Sequence, residues 1–532
     1  MLYLEDREGR TESVTSLILT CIIAFLFSAC SDRPENTNKD ITIEAFSGLR
    51  TPVFSLRNSE IRHQVESMCY SFKPEFAGDR FANNYYLAGG DYLWIDRSGV
   101  DGCADTLLSV LRTVADVGFD ERSFFVDAIE SDLEKVRNLE FDDSVNIISH
   151  VFARLEYNLT RACMRYYIGM RYGFVNPTYL FNHLDTLDDS SDSATPRFEK
   201  LFDIDIEHPG KKDVEHVLNS IRGHELGMLF DKIEPDSYLY SQLKKQLALA
   251  SGSARNTVIC NMERCRWRMA DGLQDVNKRV IVNIPAFHLY AYGDGKAIDM
   301  RIGCGTRKTK TPLLSSCINR MDVNPVWNIP MSIIRKDIAP RATDTAYFAR
   351  NRYYVVERKT GERVAQSDVT TSMLESGDYR VVQEGGEGNS LGRIIFRFPN
   401  DFSVFLHDTS SKGVFTRNIR SVSHGCVRVQ EPFALAEFLL GDVDEWQLDK
   451  LRISMGIPPT TLRGQRYVDD SDGEAPSLVR SLKVEPCVPL YIVYYTMFAD
   501  TDGRLCTYND IYGFDDVIFN NIKPLVVPGV KK

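Results

Sequence analysis

The chain has 532 residues, 43% of them hydrophobic and 11% aromatic, enough for about three packed domains. Its 63 basic and 74 acidic residues give a formal net charge of −11. With no dense Lys/Arg run, that balance excludes a nucleic-acid binder.

Residues 17–30, LILTCIIAFLFSAC, form an apolar run too short to span a bilayer comfortably. Small residues precede Cys30, and polar SDRPENTNKD follows. The stretch resembles a bacterial lipoprotein signal with a lipobox. That implies a signal peptide over 1–29, lipidation of Cys30 as the mature N-terminus, and a membrane anchor in the cell envelope. An ordinary signal peptide or a short anchor is the alternative; either way the mature chain is exported. The segment ahead of the run is acidic, with Glu5, Asp6, Glu8 and Glu12 against Arg7 and Arg10, which points to a start further downstream. Residues 30–55 read as a polar tether.

From 56 to 278 the pattern is mainly helical. In 104–119, Leu107, Leu108, Leu111 and Val114 fall near one face at helical spacing. Residues 145–170 form a long helical stretch, 185–196 a solvated acidic loop, and 235–250 a further amphipathic helix. At about 279 the period changes. Residues 279–305, rich in Val, Ile and aromatics with GDG in the middle, predict a β-hairpin. Residues 378–383, 392–399 and 402–408 continue the strand pattern. Residues 431–441 predict a helix with Gly441 as its C-cap, and 488–515 predict two strands around DTDG. The fold class is therefore α+β: a helical scaffold domain (56–278), a β-rich catalytic domain (279–455) with a charged, aromatic insertion (335–390), and a C-terminal segment (456–532) packing on both. The chain has twelve cysteines and no CxxC pair. Most read as small buried hydrophobes, with Cys260/Cys265 and Cys304/Cys317 as candidate disulfides.

Residues 421–429, SVSHGCVRV, carry the chemistry. A cysteine thiolate is a strong nucleophile that needs a base or a lowered pKa. In an extended chain His424 and Cys426 share a face but lie about 6–7 Å apart. His407 ends the strand-like FSVFLH, and on a paired strand it would come within about 4.5–5.5 Å of Cys426. His407 is therefore assigned as the base, with His424 as a supporting residue. The Gly425 and Cys426 amides would face a developing oxyanion. Arg428 suits a substrate carboxylate, and the Asp408 carbonyl would orient the imidazole. The thiolate is expected to be partly formed at neutral pH. A core strand that happens to contain a cysteine is the plain alternative. A zinc site lacks a fourth ligand and a familiar spacing.

His407, fifteen intervening residues, then Ser423-His424-Gly425-Cys426 with Arg428 behind resembles the signature of the L,D-transpeptidases with a YkuD-type catalytic domain. NMERCRW (261–267), VNIPAFHLY (282–290), NPVWNIPMSII (324–334), GNSLGRIIFRFPN (388–400) and FLHDTSSKGVF (405–415) are similar to the large, YcbB-like branch. The resemblance implies Cys426 as nucleophile and His407 as proton donor/acceptor. It implies an oxyanion site shaped by Ser423, His424 and Gly425, with Asp408 and Arg428 in support. It also implies Trp327 lining the cleft, a core Trp being the alternative, and residues 335–390 as a lid-like capping segment. The substrates implied are peptidoglycan stem peptides: an acyl-enzyme forms on a tetrapeptide, D-alanine leaves, and a second stem amine accepts the acyl group. Carbapenems would trap the cysteine. Two departures stand out. Only residues 250–260 separate the preceding helix from NMER, too few for a separate wall-binding domain, and Cys265 stands where relatives usually show an aromatic. An L,D-carboxypeptidase with water as acceptor, transfer to a protein lysine, and a non-catalytic envelope lipoprotein are the competing readings. No metal or organic cofactor is implied.

Overall fold

The computed structural model describes residues 56–96, 99–187, 197–269, 277–471 and 477–526. The expected signal peptide, Cys30 and the tether lie outside them. No described helix is long and apolar enough to cross a membrane. The chain forms two compact units. One takes the described residues up to Phe174, His208–Pro235, and those from Ile522 on; the other takes Val175–Glu207 and Asp236–Asn521. These limits differ from the linear division at 278/279, because 175–207 and 236–278 go with the β-rich unit.

The first unit is helical: α1 (Asn58–Ser71), α2 (Ala77–Leu87), α3 (Cys103–Leu111), α4 (Val126–Asn138), α5 (Ile148–Tyr172) and α6 (Lys211–Arg222). α5 is its axis, packed by α1, α2 and α4. It is buried on nearly every side, so its polar residues need partners. Arg165 and Arg161 pair with the buried Asp79 at 2.7 and 3.2 Å. Burial raises the Asp79 carboxyl, but the two guanidiniums outweigh it and hold it below the ordinary range. Glu156 accepts from Tyr86 Oη at 2.6 Å and from the Leu93 and Trp94 amides at 2.6 and 2.9 Å. A Cβ on Gly78 would lie 2.5 Å from Arg165 Cα, so glycine lets α2 cross α5 backbone to backbone. The expected 104–119 helix is α3 plus a short 3-10 turn, Val114–Val117, closed by Gly118 at φ 93°.

In the second unit a two-residue strand, Phe202–Asp203, which pairs with the later strand Leu313–Val323, comes first, and α7 (Tyr238–Leu247) and α8 (Gly252–Arg266) precede the remaining strands. These are β1 (Arg279–Asn283), β2 (His288–Gly293), β3 (Lys296–Gly305), β4 (Leu313–Val323), β5 (Trp327–Asn328), β6 (Tyr353–Glu357), β7 (Arg363–Val364), β8 (Tyr379–Gln383), β9 (Ile394–Arg397), β10 (Leu406–His407), β11 (Ser421–Ser423), β12 (Val427–Val429), β13 (Ser481–Val493), β14 (Met497–Ala499) and β15 (Leu505–Thr507). Eight of them close on themselves in the order β9-β10-β12-β3-β2-β1-β13-β4, with β4 pairing back to β9. Closure removes exposed sheet edges. The GDG hairpin is β2–β3, with Asp294 and Gly295 at φ 52° and 71°, the left-handed pair that a two-residue turn requires. The DTDG hairpin is β14–β15. α9 (Pro432–Leu440) ends at Gly441, φ 71°, as expected.

The insertion is a separate four-stranded sheet, β7-β6-β8-β5, over its own apolar cluster of Ile329, Ile334, Ile338, Phe348, Val355 and Val381 among others. It therefore draws in Trp327 and Ile329, upstream of the expected start at 335. The disulfide is Cys317–Cys487, joining neighbouring β4 and β13 with Cα atoms 5.7 Å apart. Both candidate pairings fail: Cys260, Cys265 and Cys304 are free thiols. The partner of Cys317 lies 170 residues on, and only the fold brings it near.

Candidate active site

Three barrel strands position the chemistry. β10 runs parallel to β12 with Leu406 opposite Val427 and His407 opposite Arg428. β12 in turn lies antiparallel to β3, with Arg428 opposite Gly303. The expected pairing of the two segments exists, but its register places Arg428, not Cys426, across from His407. Cys426 lies two residues before Arg428, diagonal to His407 along that strand face. The Val427 amide closes the approach by donating to Phe405 O at 3.1 Å. The alternation read through Ser403 also fails. The Asn400 carboxamide oxygen accepts from the Phe402 and Val404 amides, folding 400–403 into a turn with Ser403 at φ 54°. Only Leu406–His407 remain extended.

The turn before Cys426 is self-supporting. Ser423 Oγ donates to Cys426 O at 2.6 Å and accepts from the Gly425 amide at 3.1 Å. Gly425 has φ 116°, where a side chain would be strained. Its N–H is thus committed to Ser423 and is not the oxyanion donor expected of it. The His424 and Cys426 amides have no protein acceptor among the described residues, and of these two remaining donors the Cys426 amide belongs to the nucleophile itself. The segment 305–311 cradles the turn from below. Ser423 O accepts from the Thr306 amide at 3.1 Å and from Thr309 Oγ1 at 2.9 Å. Gly425 O accepts from Thr311 Oγ1 at 2.8 Å. Tyr512 Oη donates to Gly305 O at 2.8 Å and accepts from the Thr311 amide at 3.1 Å. A Cβ on Gly305 would sit 2.1 Å from Thr309 O. Sequence reasoning missed these positioning residues; the threonines of GTRKTKT were their only signal.

His407 is 4% exposed. Its Nδ1 is hydrogen-bonded to the Asp408 carbonyl, as expected, which assigns the Nδ1–H tautomer and leaves Nε2 as the acceptor. Burial pushes the imidazole down to about 4; the Arg428 charge adds to this, and the carbonyls of Asp408 and Leu391 oppose it. The Asp408 carboxylate looks away: Oδ2 accepts from the Arg393 amide at 2.8 Å and Oδ1 pairs with Lys412 Nζ. Gly392, φ 65°, makes room for it, since a Cβ there would lie 2.4 Å from Asp408 Cγ.

Cys426 is half-buried. Burial raises its thiol above the ordinary range, against opposing effects from the Phe405 backbone and the Arg428 charge. The expected partly formed thiolate is therefore not the resting state: low-dielectric surroundings disfavour both charged forms, giving a neutral thiol and a neutral imidazole. The half-buried Arg428 has no ion pair among the described residues, and its Nε has no hydrogen-bond partner. His424 is exposed, away from the bonded framework of the turn. Trp327, paired to Gln383 on β8, packs against the apolar cluster of the insertion. Cys30 lies outside the described residues.

Residues 277–456 match the family model of the L,D-transpeptidase catalytic domain, YkuD, and residues 79–247 match the Scaffold domain. A curated protein of Haemophilus influenzae named "Putative L,D-transpeptidase" is 25% identical over 312 residues, 58% of this chain and 59% of that one. The match thus spans about three fifths of that relative's length. A solved structure, "L,D-transpeptidase from Mycobacterium smegmatis", aligns at 14% identity over 31% of this chain and 55% of that one. Its TM-score of 0.17 is too low to speak to the fold. A Scaffold domain first and a YkuD-type L,D-transpeptidase catalytic domain second is the YcbB-like architecture, and this chain carries both in that order.

Proposed function

We propose that the protein is a peptidoglycan L,D-transpeptidase working through an acyl-enzyme on Cys426. Cys426 Sγ attacks the carbonyl between the third and fourth residues of a stem tetrapeptide, and its proton passes to His407 Nε2. The tetrahedral oxyanion takes the Cys426 amide as donor. Collapse breaks the C–N bond, His407 returns the proton to the leaving D-alanine amine, and a thioester remains. The amine of a second stem then displaces sulfur, giving a cross-link and restoring the thiol. Arg428, a cation that acts on both groups and has no ion pair among the described residues, binds the substrate carboxylate.

The observation that carries this reading is the cross-strand register that sets His407 opposite Arg428, with Cys426 two residues before it, in a chain whose residues 277–456 match the YkuD catalytic-domain model. The protein acts in the cell envelope, anchored through lipidated Cys30. The test is incubation of the purified protein with tetrapeptide-stem muropeptides, read by mass. Loss of D-alanine with dimer formation supports transpeptidation, and tripeptide monomers alone would make it an L,D-carboxypeptidase. Neither product, or products undiminished in Cys426→Ala, would refute the proposal. A carbapenem should add one drug-derived mass, mapping to Cys426.

A further inference from the structure

One group in the helical unit has the chemistry of a metal site. Asp101, Cys103 and His224 place a carboxylate oxygen, a thiol sulfur and an imidazole nitrogen all within 4.8 Å of one another. His224 Nδ1 lies 3.3 Å from Cys103 Sγ and 3.3 Å from Asp101 Oδ1. Ligand atoms held tetrahedrally at the about 2.0–2.3 Å bond lengths of zinc are themselves about 3.3–3.6 Å apart. We propose that Asp101, Cys103 and His224 bind one divalent cation of the zinc class, with the fourth coordination position open to solvent.

Two features fit that ion class. A sulfur and an imidazole nitrogen beside one carboxylate select a borderline cation and reject calcium or magnesium, which take oxygen ligands. Thiolate and carboxylate together carry two negative charges, which neutralise a dication in a half-enclosed place. Access is from one side: Cys103 is 5% exposed, while the His224 side chain is 48% exposed and Asp101 22%.

The backbone delivers the ligands from two places in the sequence. The Cys103 amide donates to Asp101 Oδ1 at 2.7 Å, which fixes the carboxylate beside the sulfur. His224 follows α6 at φ 56°, a left-handed position usually given to Gly or Asn after a helix. Its amide donates to Ile221 O at 3.1 Å, while Cys103 Sγ lies 3.9 Å from the same carbonyl. A bound ion would tie the start of α3 to the end of α6. On binding, the Cys103 S–H bond breaks, sulfur bonds to the metal, and the proton goes to solvent. No electron is transferred.

The experiment uses the full chain in a Cys426→Ala background, stripped with a chelator and titrated with Co²⁺ and then Zn²⁺. The expected result is one equivalent of Co²⁺ with thiolate-to-cobalt absorption, displaced by Zn²⁺, together with a higher melting temperature for the helical unit. Cys103→Ser should abolish the absorption. His224→Asn, which suits the left-handed backbone and leaves the fold intact, should weaken Zn²⁺ binding at least tenfold at unchanged circular dichroism. Absence of thiolate–cobalt absorption, its persistence in Cys103→Ser, or unchanged affinity in His224→Asn would each overturn the proposal.

Discussion

Burying His407 as a neutral imidazole makes stability depend on pH, and the size follows from the shift. The unfolded imidazole titrates at its ordinary 6.5 and the folded one at about 4. That is about two and a half pH units, or roughly 3 kcal/mol at about 1.4 kcal/mol per unit. Between these values the unfolded chain binds a proton that the folded chain does not. The contribution is therefore complete above pH 6.5 and lost as pH falls to 4. His407→Asn removes the titration while its amide can still donate to the Asp408 carbonyl. Urea unfolding of the β-rich unit at pH 7.5, 6, 5 and 4 reads the effect. From pH 7.5 to 4 the parent should lose about 3 kcal/mol more than the variant, other titrations cancelling between the two. Acylation should carry the same signature: a rate flat from pH 7 to 5 that falls about tenfold per unit below pH 4, where Nε2 is protonated. A rate limb at pH 6–7, or parallel stability curves, would refute the buried neutral base.

Three further perturbations test the framework. Gly392→Ala places a methyl 2.4 Å from Asp408 Cγ at φ 65°; it should cost about 1–3 kcal/mol and slow acylation by tilting His407, as denaturation and single-turnover kinetics will read. Ser423→Ala leaves the Gly425 amide and Cys426 carbonyl without their shared partner; about 1–2 kcal/mol and a loss in kcat larger than any change in KM are expected, and unchanged kcat would deny the turn its positioning role. Reducing Cys317–Cys487, which closes a 170-residue separation, should destabilise the β-rich unit by about 2–5 kcal/mol, seen as a lower Tm in reductant that Cys487→Ala reproduces.

The sequence made some of this legible and concealed the rest for physical reasons. Periodicity located α5 and the β2–β3 hairpin, because a 25-residue helix and a two-residue turn with Asp-Gly are local solutions. The spacing from His407 to Cys426 marked the candidate site. The register did not follow from it, because Asn400 hydrogen-bonds like a backbone turn and shortens β10 to two residues. Barrel closure by β4 and β9, and the Cys317–Cys487 pair, are long-range pairings with no local signal. The cradle of Thr306, Thr309, Thr311 and Tyr512 was concealed for the same reason: its hydrogen bonds join residues more than 100 positions apart. Protonation was misjudged because sequence shows neighbours but not burial, and burial is the largest influence on both His407 and Cys426.

That reversal has its own kinetic consequence. With the thiol above its ordinary 9.0 and the imidazole near 4, proton transfer from sulfur to nitrogen is uphill by several pH units, hence several kcal/mol. Arg428 cannot close the gap: its charge favours the thiolate but disfavours the imidazolium that must form with it. The proton must therefore leave as the S–C bond forms, when the oxyanion donor begins to share the cost. A reagent that offers no oxyanion reports the difference. Alkylation of Cys426 by iodoacetamide should be slow at pH 7 and rise about tenfold per pH unit until above pH 9, whereas acylation by a peptide or carbapenem carbonyl should be fast and flat across the same range. Since His407→Asn removes the base, it should abolish acylation and leave alkylation at high pH nearly unchanged. An alkylation rate that plateaus near neutral pH and collapses in His407→Asn would show a preformed thiolate–imidazolium pair and sink the argument.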